Sequence, residues 1–144
     1  AGIIFSYFVR NDRRFIDNSE GYLVRDNFYI IYPNIDQSLL FALLNNYYSF
    51  LQIEQNGKHY GAGLLKIQTY DIKNILFPDI NDFSKEDINK LKKLSYQLIE
   101  SNDFNIVRTI TKLLSKYSFL SAEEAETAYF MMKTNRLKED QYAI

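Results

Sequence analysis

Asn27-Phe28-Tyr29-Ile30-Ile31-Tyr32-Pro33 and, from Asp36, Asp36-Gln37-Ser38-Leu39-Leu40-Phe41-Ala42-Leu43-Leu44 decide the fold class between them. The first run is dense in β-branched and aromatic residues, which suit a pleated, half-buried surface. Pro33 stops it, because proline brings no N–H to a strand ladder. In the second run, Leu39, Leu40, Leu43 and Leu44, continued by Tyr47, Phe50 and Leu51, recur at helical spacing behind a capping Asp36. Asn56-Gly57 closes the pattern, so the spacing predicts one helix over 36–54. Strand chemistry before the proline and helix chemistry after it point to a mixed fold.

Working outward, residues 3–9 (Ile-Ile-Phe-Ser-Tyr-Phe-Val) read as one strand, followed by a polar arm, Arg10-Asn11-Asp12-Arg13-Arg14. Phe15-Ile16, a turn over 17–21, and Tyr22-Leu23-Val24 continue the β pattern up to Arg25-Asp26. Strand, turn and strand at this spacing predict an antiparallel hairpin or meander. Beyond the long helix, residues 58–63 read as a loop leading into a strand at 64–67. One helical turn is expected at 71–75 and a short final strand at Leu76-Phe77. Three helices follow. Ser84-Lys85-Glu86-Asp87 resembles a capping box, and Ser121-Ala122-Glu123-Glu124 is a cleaner one. Ile88, Leu91, Leu94, Leu98 and Ile99 form one apolar face, Phe104, Val107, Ile110, Leu114 and Tyr117 the next, and a break falls at Asn102-Asp103. Composition shifts near residues 79–83. The expectation is an α+β fold: an antiparallel, β-rich body with one long helix over 1–80, and a three-helix tail over 81–144 packed on it.

The chain has 144 residues, a length that suits one domain, or one domain with a helical appendage, and a formal charge of −1, which argues against a strong stand-alone nucleic-acid binder. Most of its 12 Tyr and 11 Phe must be core, but tyrosine also serves binding surfaces, because its ring is apolar and its tip is polar. Cysteine is absent, so disulfides and thiolate chemistry are excluded and a cytoplasmic setting is expected. No apolar run approaches the roughly 18 residues of a membrane span. Strand-like sequence begins almost at once without an initiator methionine, so we expect upstream sequence in the natural polypeptide.

The missing motifs restrict the chemistry. A DNA amino-methyltransferase needs an Asn/Asp/Ser-Pro-Pro-aromatic motif, and the two prolines here, Pro33 and Pro78, are not adjacent. Neither G-x-G-x-x-G nor G-x-x-x-x-G-K-[ST] occurs. Gly61-Ala62-Gly63 is a fragment of such a loop, placed before a strand rather than between strand and helix. His59 is the single histidine, so a zinc site would need carboxylates for all its other ligands. No G-x-S-x-G elbow accompanies it. Asp12 and Asp17 read as solvated turn residues.

Two segments carry binding chemistry. Arginine takes guanine O6 and N7 with two bonds and asparagine does the same for adenine, which draws attention to Arg10, Arg13, Arg14 and Arg25, with Asn27 as a residue that serves either recognition or the fold. A solvated turn with self-neutralising charges explains the same arm. In Lys58-His59-Tyr60-Gly61-Ala62-Gly63-Leu64-Leu65-Lys66, the lysines suit phosphates, Tyr60 suits stacking, and the glycines permit close backbone approach; a loop using glycine for geometry alone is the competing account. The lysines of the tail interleave with acids and read as a solvated face.

Taken in order, Phe5-Ser6-Tyr7-Phe8-Val9-Arg10, then 25–31 (Arg-Asp-Asn-Phe-Tyr-Ile-Ile), 60–67 (Tyr-Gly-Ala-Gly-Leu-Leu-Lys-Ile) and 71–78 (Asp-Ile-Lys-Asn-Ile-Leu-Phe-Pro) carry a resemblance. It is to the C-terminal specificity domain of gamma-class, Taq-type adenine-specific DNA methyltransferases of type II and type IIG restriction–modification systems. The resemblance spans roughly residues 3–80. Gly61-Ala62-Gly63 stands where that family has a Gly-Gly-Gly-like turn, and residues 81–144 match no recognised pattern. It implies that an upstream domain of the same polypeptide binds S-adenosylmethionine and flips the adenine, while this domain holds duplex DNA and needs no cofactor or metal itself. Base-reading residues vary with the target in such families, so the candidate contacts rest on residue chemistry: Arg10, Arg13, Arg14, Arg25, Lys58, His59, Tyr60 and Lys66. Two other readings compete: a protein-interaction module that docks partners through Phe104, Val107, Ile110 and Leu114, and a small enzyme built on His59 and nearby carboxylates.

Overall fold

The computed structural model describes residues 2–11, 15–24 and 27–142, with side chains as far as 138. Six short strands and six helices are assigned among them. Strands β1 (Ile3–Ser6), β2 (Phe8–Val9), β3 (Ile16–Asp17) and β4 (Phe28–Ile31) precede helices α1 (Gln37–Leu44) and α2 (Tyr47–Asn56). A hairpin of β5 (Lys58–Tyr60) and β6 (Leu64–Lys66) leads to α3 (Thr69–Lys73), then α4 (Lys85–Ser101), α5 (Phe104–Leu114) and α6 (Ala122–Tyr142). The architecture is α+β with a C-terminal helical tail, as the sequence predicts.

The strands form two small antiparallel sheets, ordered β3-β1-β4 and β2-β6-β5. The run over 3–9 is therefore two strands and not one, parted at Tyr7. The Tyr7 N–H donates to the Asn27 carbonyl at 3.2 Å, beside the first sheet, and its own carbonyl accepts from Ile67 N at 2.7 Å, beside the second. Asn27 makes this junction possible. It holds a positive φ of 77°, which asparagine tolerates better than most residues, and its Oδ1 accepts from the Tyr7 hydroxyl at 2.9 Å. Asn27 thus serves the fold.

The predicted single helix over 36–54 is broken in two. Asp36 caps α1 by accepting from Leu39 N at 3.1 Å. At the break, Asn45 turns its amide to the Phe15 backbone, donating to Phe15 O at 3.3 Å and to Phe41 O at 3.0 Å. Asn46 is the cap of α2: its Oδ1 accepts from Ser49 N at 3.1 Å, while its Nδ2 donates to Ala42 O and Leu43 O at 3.0 and 2.7 Å. The two asparagines take over the backbone groups that a helix end leaves without partners, which is why apolar periodicity runs through a break. Residues 58–60, read as loop, form a strand of the hairpin. Leu76-Phe77 is not a strand, because Leu76 exchanges both its backbone bonds with the Gln52 side chain, at 2.8 and 2.9 Å. Tyr22-Leu23-Val24 is also outside any strand, with Leu23 fully exposed.

One apolar core runs from Ile3 and Phe5 of β1 through Leu43, Phe50 and Ile53 to Leu91, Ile110, Leu114 and Tyr129. Helix α4 packs along α1, and α6 along α2, where Tyr47, Phe50, Tyr129 and Phe130 cluster with ring centroids 5.1–5.9 Å apart. Of the proposed docking residues, Val107, Ile110 and Leu114 are buried in this core and Phe104 packs against it partly buried, so most of that face of the tail is occupied from within. Ser121 and Glu124 form the reciprocal capping box. At the other predicted box Ser84 accepts from Asp87 N at 3.1 Å, but the Asp87 carboxylate turns away to the Tyr117 hydroxyl and to Lys116 Nζ at 3.1 Å. The Tyr117 bond leads in holding that carboxyl below its ordinary range; burial pushes the other way and Lys116 adds to the lowering. None of the described helices is long and apolar enough to cross a membrane.

Candidate nucleic-acid interface

The second sheet gathers most of the described candidates. Register places Lys66 opposite Phe8 on one side and opposite Lys58 on the other, and Tyr60 opposite Leu64. Strand side chains alternate between faces, so Phe8, Lys66, Lys58, Leu64 and Tyr60 share one face. Val9 and Leu65 point the other way, into the core. Phe8 and Tyr60 remain exposed at 37% and 40% and meet edge-on, with centroids 6.3 Å apart. Tyr7 packs beside Phe8 at 4.7 Å and beside Tyr29 of β4 at 5.1 Å, carrying the aromatic surface across the junction between the sheets. Lys66 Nζ lies 5.8 Å from the Phe8 centroid and 6.0 Å from that of Tyr7, within cation–π range.

The electrostatics of this face are unusual for a chain with a formal charge of −1. Lys58 and Lys66 sit directly opposite each other on neighbouring strands, an arrangement of like charges that costs stability unless an anion intervenes. Neither makes an ion pair among the described residues, whereas Lys90, Lys92, Arg108, Lys116 and Arg136 all do.

The other candidates divide. Arg10 follows β2 at the rim of the same sheet, exposed, with its guanidinium on the Ala62 carbonyl in the β5–β6 turn. His59 is not on the Lys58–Tyr60 face: it pairs in register with Leu65, and its Nε2 lies 3.4 Å from the Glu54 carbonyl oxygen. Arg13, Arg14 and Arg25 lie outside the described residues. Gly61-Ala62-Gly63 is a strand-to-strand turn with positive φ at Ala62 and Gly63. A Cβ on Gly63 would sit 3.4 Å from Arg136 O and Leu137 Cα. This turn faces α6 and joins two strands, so it does not open on a helix N-terminus as a phosphate-binding glycine loop does. Among the described residues, no three His, Asp or Glu side chains group as metal ligands. A groove of about 610 Å³ bordered by Tyr48, Gln52, Leu76, Phe77 and Phe119 contains none of the candidates.

Sequence reasoning missed the aromatic partners Tyr7, Phe8 and Tyr29, because their grouping depends on the split at Tyr7. It also missed a buried ion pair behind the face, Glu54 of α2 with Arg136 of α6, both side chains fully buried. A signal for the acid was present: Glu54 follows Tyr47, Phe50 and Leu51 at helical spacing, on the buried side of α2, where a carboxylate requires a partner.

A family model described as the C-terminal domain of the type II methyltransferase M.Eco57I matches residues 1–123. No curated protein and no solved structure matches the chain. The matched span contains both sheets, helices α1 to α5 and the start of α6. The chain therefore belongs to the family of type II methyltransferase C-terminal domains represented by M.Eco57I.

Proposed function

We propose that this chain is the DNA target-recognition domain of an adenine-specific, gamma-class, Taq-type methyltransferase, and that it lays the outer face of β2-β6-β5 on duplex DNA. The observation that carries the reading is the Lys58–Lys66 pair: two cations held side by side, without an ion pair among the described residues, on an exposed sheet face lined by Phe8, Tyr60 and Tyr7. A phosphate diester is the anion that such a pair of lysines takes. Tyr60 and Phe8 supply flat, sequence-tolerant contact, and Arg10 lies at the rim where a side chain reaches a base edge. His59, on the other face, does not join this contact surface. Methyl transfer belongs in this reading to an upstream domain of the same cytoplasmic polypeptide, which binds S-adenosylmethionine and flips the base. The family assignment and the ordered sequence motifs support this division, and no step of the chemistry is assigned to residues of this chain.

Titration of the chain with a random duplex across a salt series tests the proposal. Replacing Lys58 and Lys66 together with Ala should flatten the slope of log K against log salt by about 1.8, or 0.9 for each phosphate no longer neutralised. Binding by the wild type with an unchanged slope in the double variant would remove this face from the interface. Absence of wild-type binding at low salt would favour a protein-docking role.

A further inference from the structure

We infer that Arg136, near the far end of the chain, is the positioning residue of the DNA-contacting face. The inference rests on the reading of the β2-β6-β5 face given above and goes beyond it, since Arg136 lies outside the span that matches the family model.

The Arg136 side chain is fully buried beneath that sheet. Its Nε and Nη2 are directed to the two carboxylate oxygens of Glu54. Its Nη1 donates to two backbone carbonyls, that of Arg10 at 2.7 Å and that of Gly63 at 2.5 Å. Both carbonyls lie at one end of the sheet, on neighbouring segments: Arg10 directly follows β2, and Gly63 closes the β5–β6 turn beside it. Arg10 in turn sends its guanidinium to Ala62 O, next to Gly63. One guanidinium therefore fixes the end of β2, the turn of the hairpin and helix α2 relative to α6. Gly63 also faces the α6 backbone, where a Cβ would lie in van der Waals contact with Arg136 O and Leu137 Cα.

The choice of residue follows from geometry. Arginine is a rigid planar fork with five donors, so it can serve a carboxylate on one edge and carbonyls on another at once. A lysine ammonium in its place neutralises Glu54 but cannot span the same acceptors. Since Phe8, Lys66, Lys58 and Tyr60 sit on the strands that Arg136 frames, their relative placement depends on it, although Arg136 itself is shielded from any DNA.

The test separates framing from folding. Replacing a buried ion pair by apolar residues of similar volume is often neutral for stability, so Glu54→Leu combined with Arg136→Met is expected to fold while leaving the Arg10 and Gly63 carbonyls without their charged donor. Arg136→Lys, which keeps the charge opposite Glu54, is the second variant. Both are measured for duplex binding at fixed low salt and for amide hydrogen exchange over residues 58–66, with the double variant Lys58→Ala/Lys66→Ala as reference. The expected result is retained helical circular dichroism, faster exchange in the hairpin, and binding weakened on the order of tenfold. If the Lys58→Ala/Lys66→Ala protein loses binding while either Arg136 variant keeps both wild-type binding and wild-type hairpin exchange, the positioning role is overturned and the DNA face stands. If the Lys58→Ala/Lys66→Ala protein binds as the wild type does, the DNA-face reading fails and the inference fails with it.

Discussion

Replacing Asn46 with Ala separates two accounts of the segment 36–54 by the sign of the effect. Were this segment one continuous helix, alanine would improve it, because alanine is the better helix former by about 0.6 kcal/mol. In the structure Asn46 is fully buried and makes three side-chain bonds: one to Ser49 N as the cap of α2, and two to the carbonyls of Ala42 and Leu43 at the end of α1. Loss of the cap costs about 1 kcal/mol. Two buried carbonyls deprived of a donor add about 2 kcal/mol, discounted because Leu43 O also accepts from the Ser49 hydroxyl. The sum, about 3 kcal/mol, divided by a urea dependence of about 2 kcal/mol per molar, moves the unfolding midpoint down by about 1.5 M. Urea titration followed by far-ultraviolet circular dichroism measures this directly. Asn46→Asp, which keeps an oxygen facing Ser49 N but turns a buried carboxylate oxygen onto the Ala42 and Leu43 carbonyls, should fall at least as far as the alanine variant. A midpoint that stays level or rises in Asn46→Ala would refute the broken-helix account.

Two further effects follow from side-chain bonds described above. The Asp87 carboxyl is held below its ordinary value of 3.8 in the folded chain, so its stabilising contribution is present above that pH and is lost as the pH falls through the lower folded-state value. Asp87→Asn should therefore be less stable at neutral pH and show a shallower loss of stability below about pH 4; acid titrations with parallel slopes would contradict this. Gln52→Ala removes both bonds to the Leu76 backbone and should cost about 1 kcal/mol. The faster hydrogen exchange should be confined to the segment around Leu76, and exchange spread through α2 would point to a different role for Gln52.

The parts of this molecule that were legible in the sequence are those whose cause is local. The helices of the tail follow from apolar spacing, and their ends from Asp103, Asn102 and the Ser121–Glu124 box, all within a turn of the groups they satisfy. The errors share the opposite property. Asn45 and Asn46 break a helix without disturbing its apolar period, since 45 and 46 are polar positions either way. The strand at 3–9 divides at Tyr7 because its two halves find partners in different places, β4 for one and β6 for the other. Lys58, Tyr60 and Lys66 were legible as candidates from their chemistry. Their shared face was not, because residues 58–60 read as a loop, and only strand alternation sorts Lys58 and Tyr60 from His59. The pair of Glu54 and Arg136 joins residues 82 positions apart, and no spacing rule links them, although an acid on the apolar side of α2 announces that some cation must come.

The bond from Arg136 to the Arg10 carbonyl spans 126 residues of chain, and this sets an order of events during synthesis. The caps of helices α1, α2 and α4 lie within a few residues of them and leave the ribosome with them. The frame of the second sheet cannot close until residue 136 has emerged, and long-range closures of this kind are slow because their loop entropy must be met first. At elongation rates of roughly 5–20 residues per second, the strands β2 and β6 wait several seconds for the residue that fixes them. A chain stalled or truncated before residue 136 would lack the guanidinium that ties the end of β2 to the β5–β6 turn.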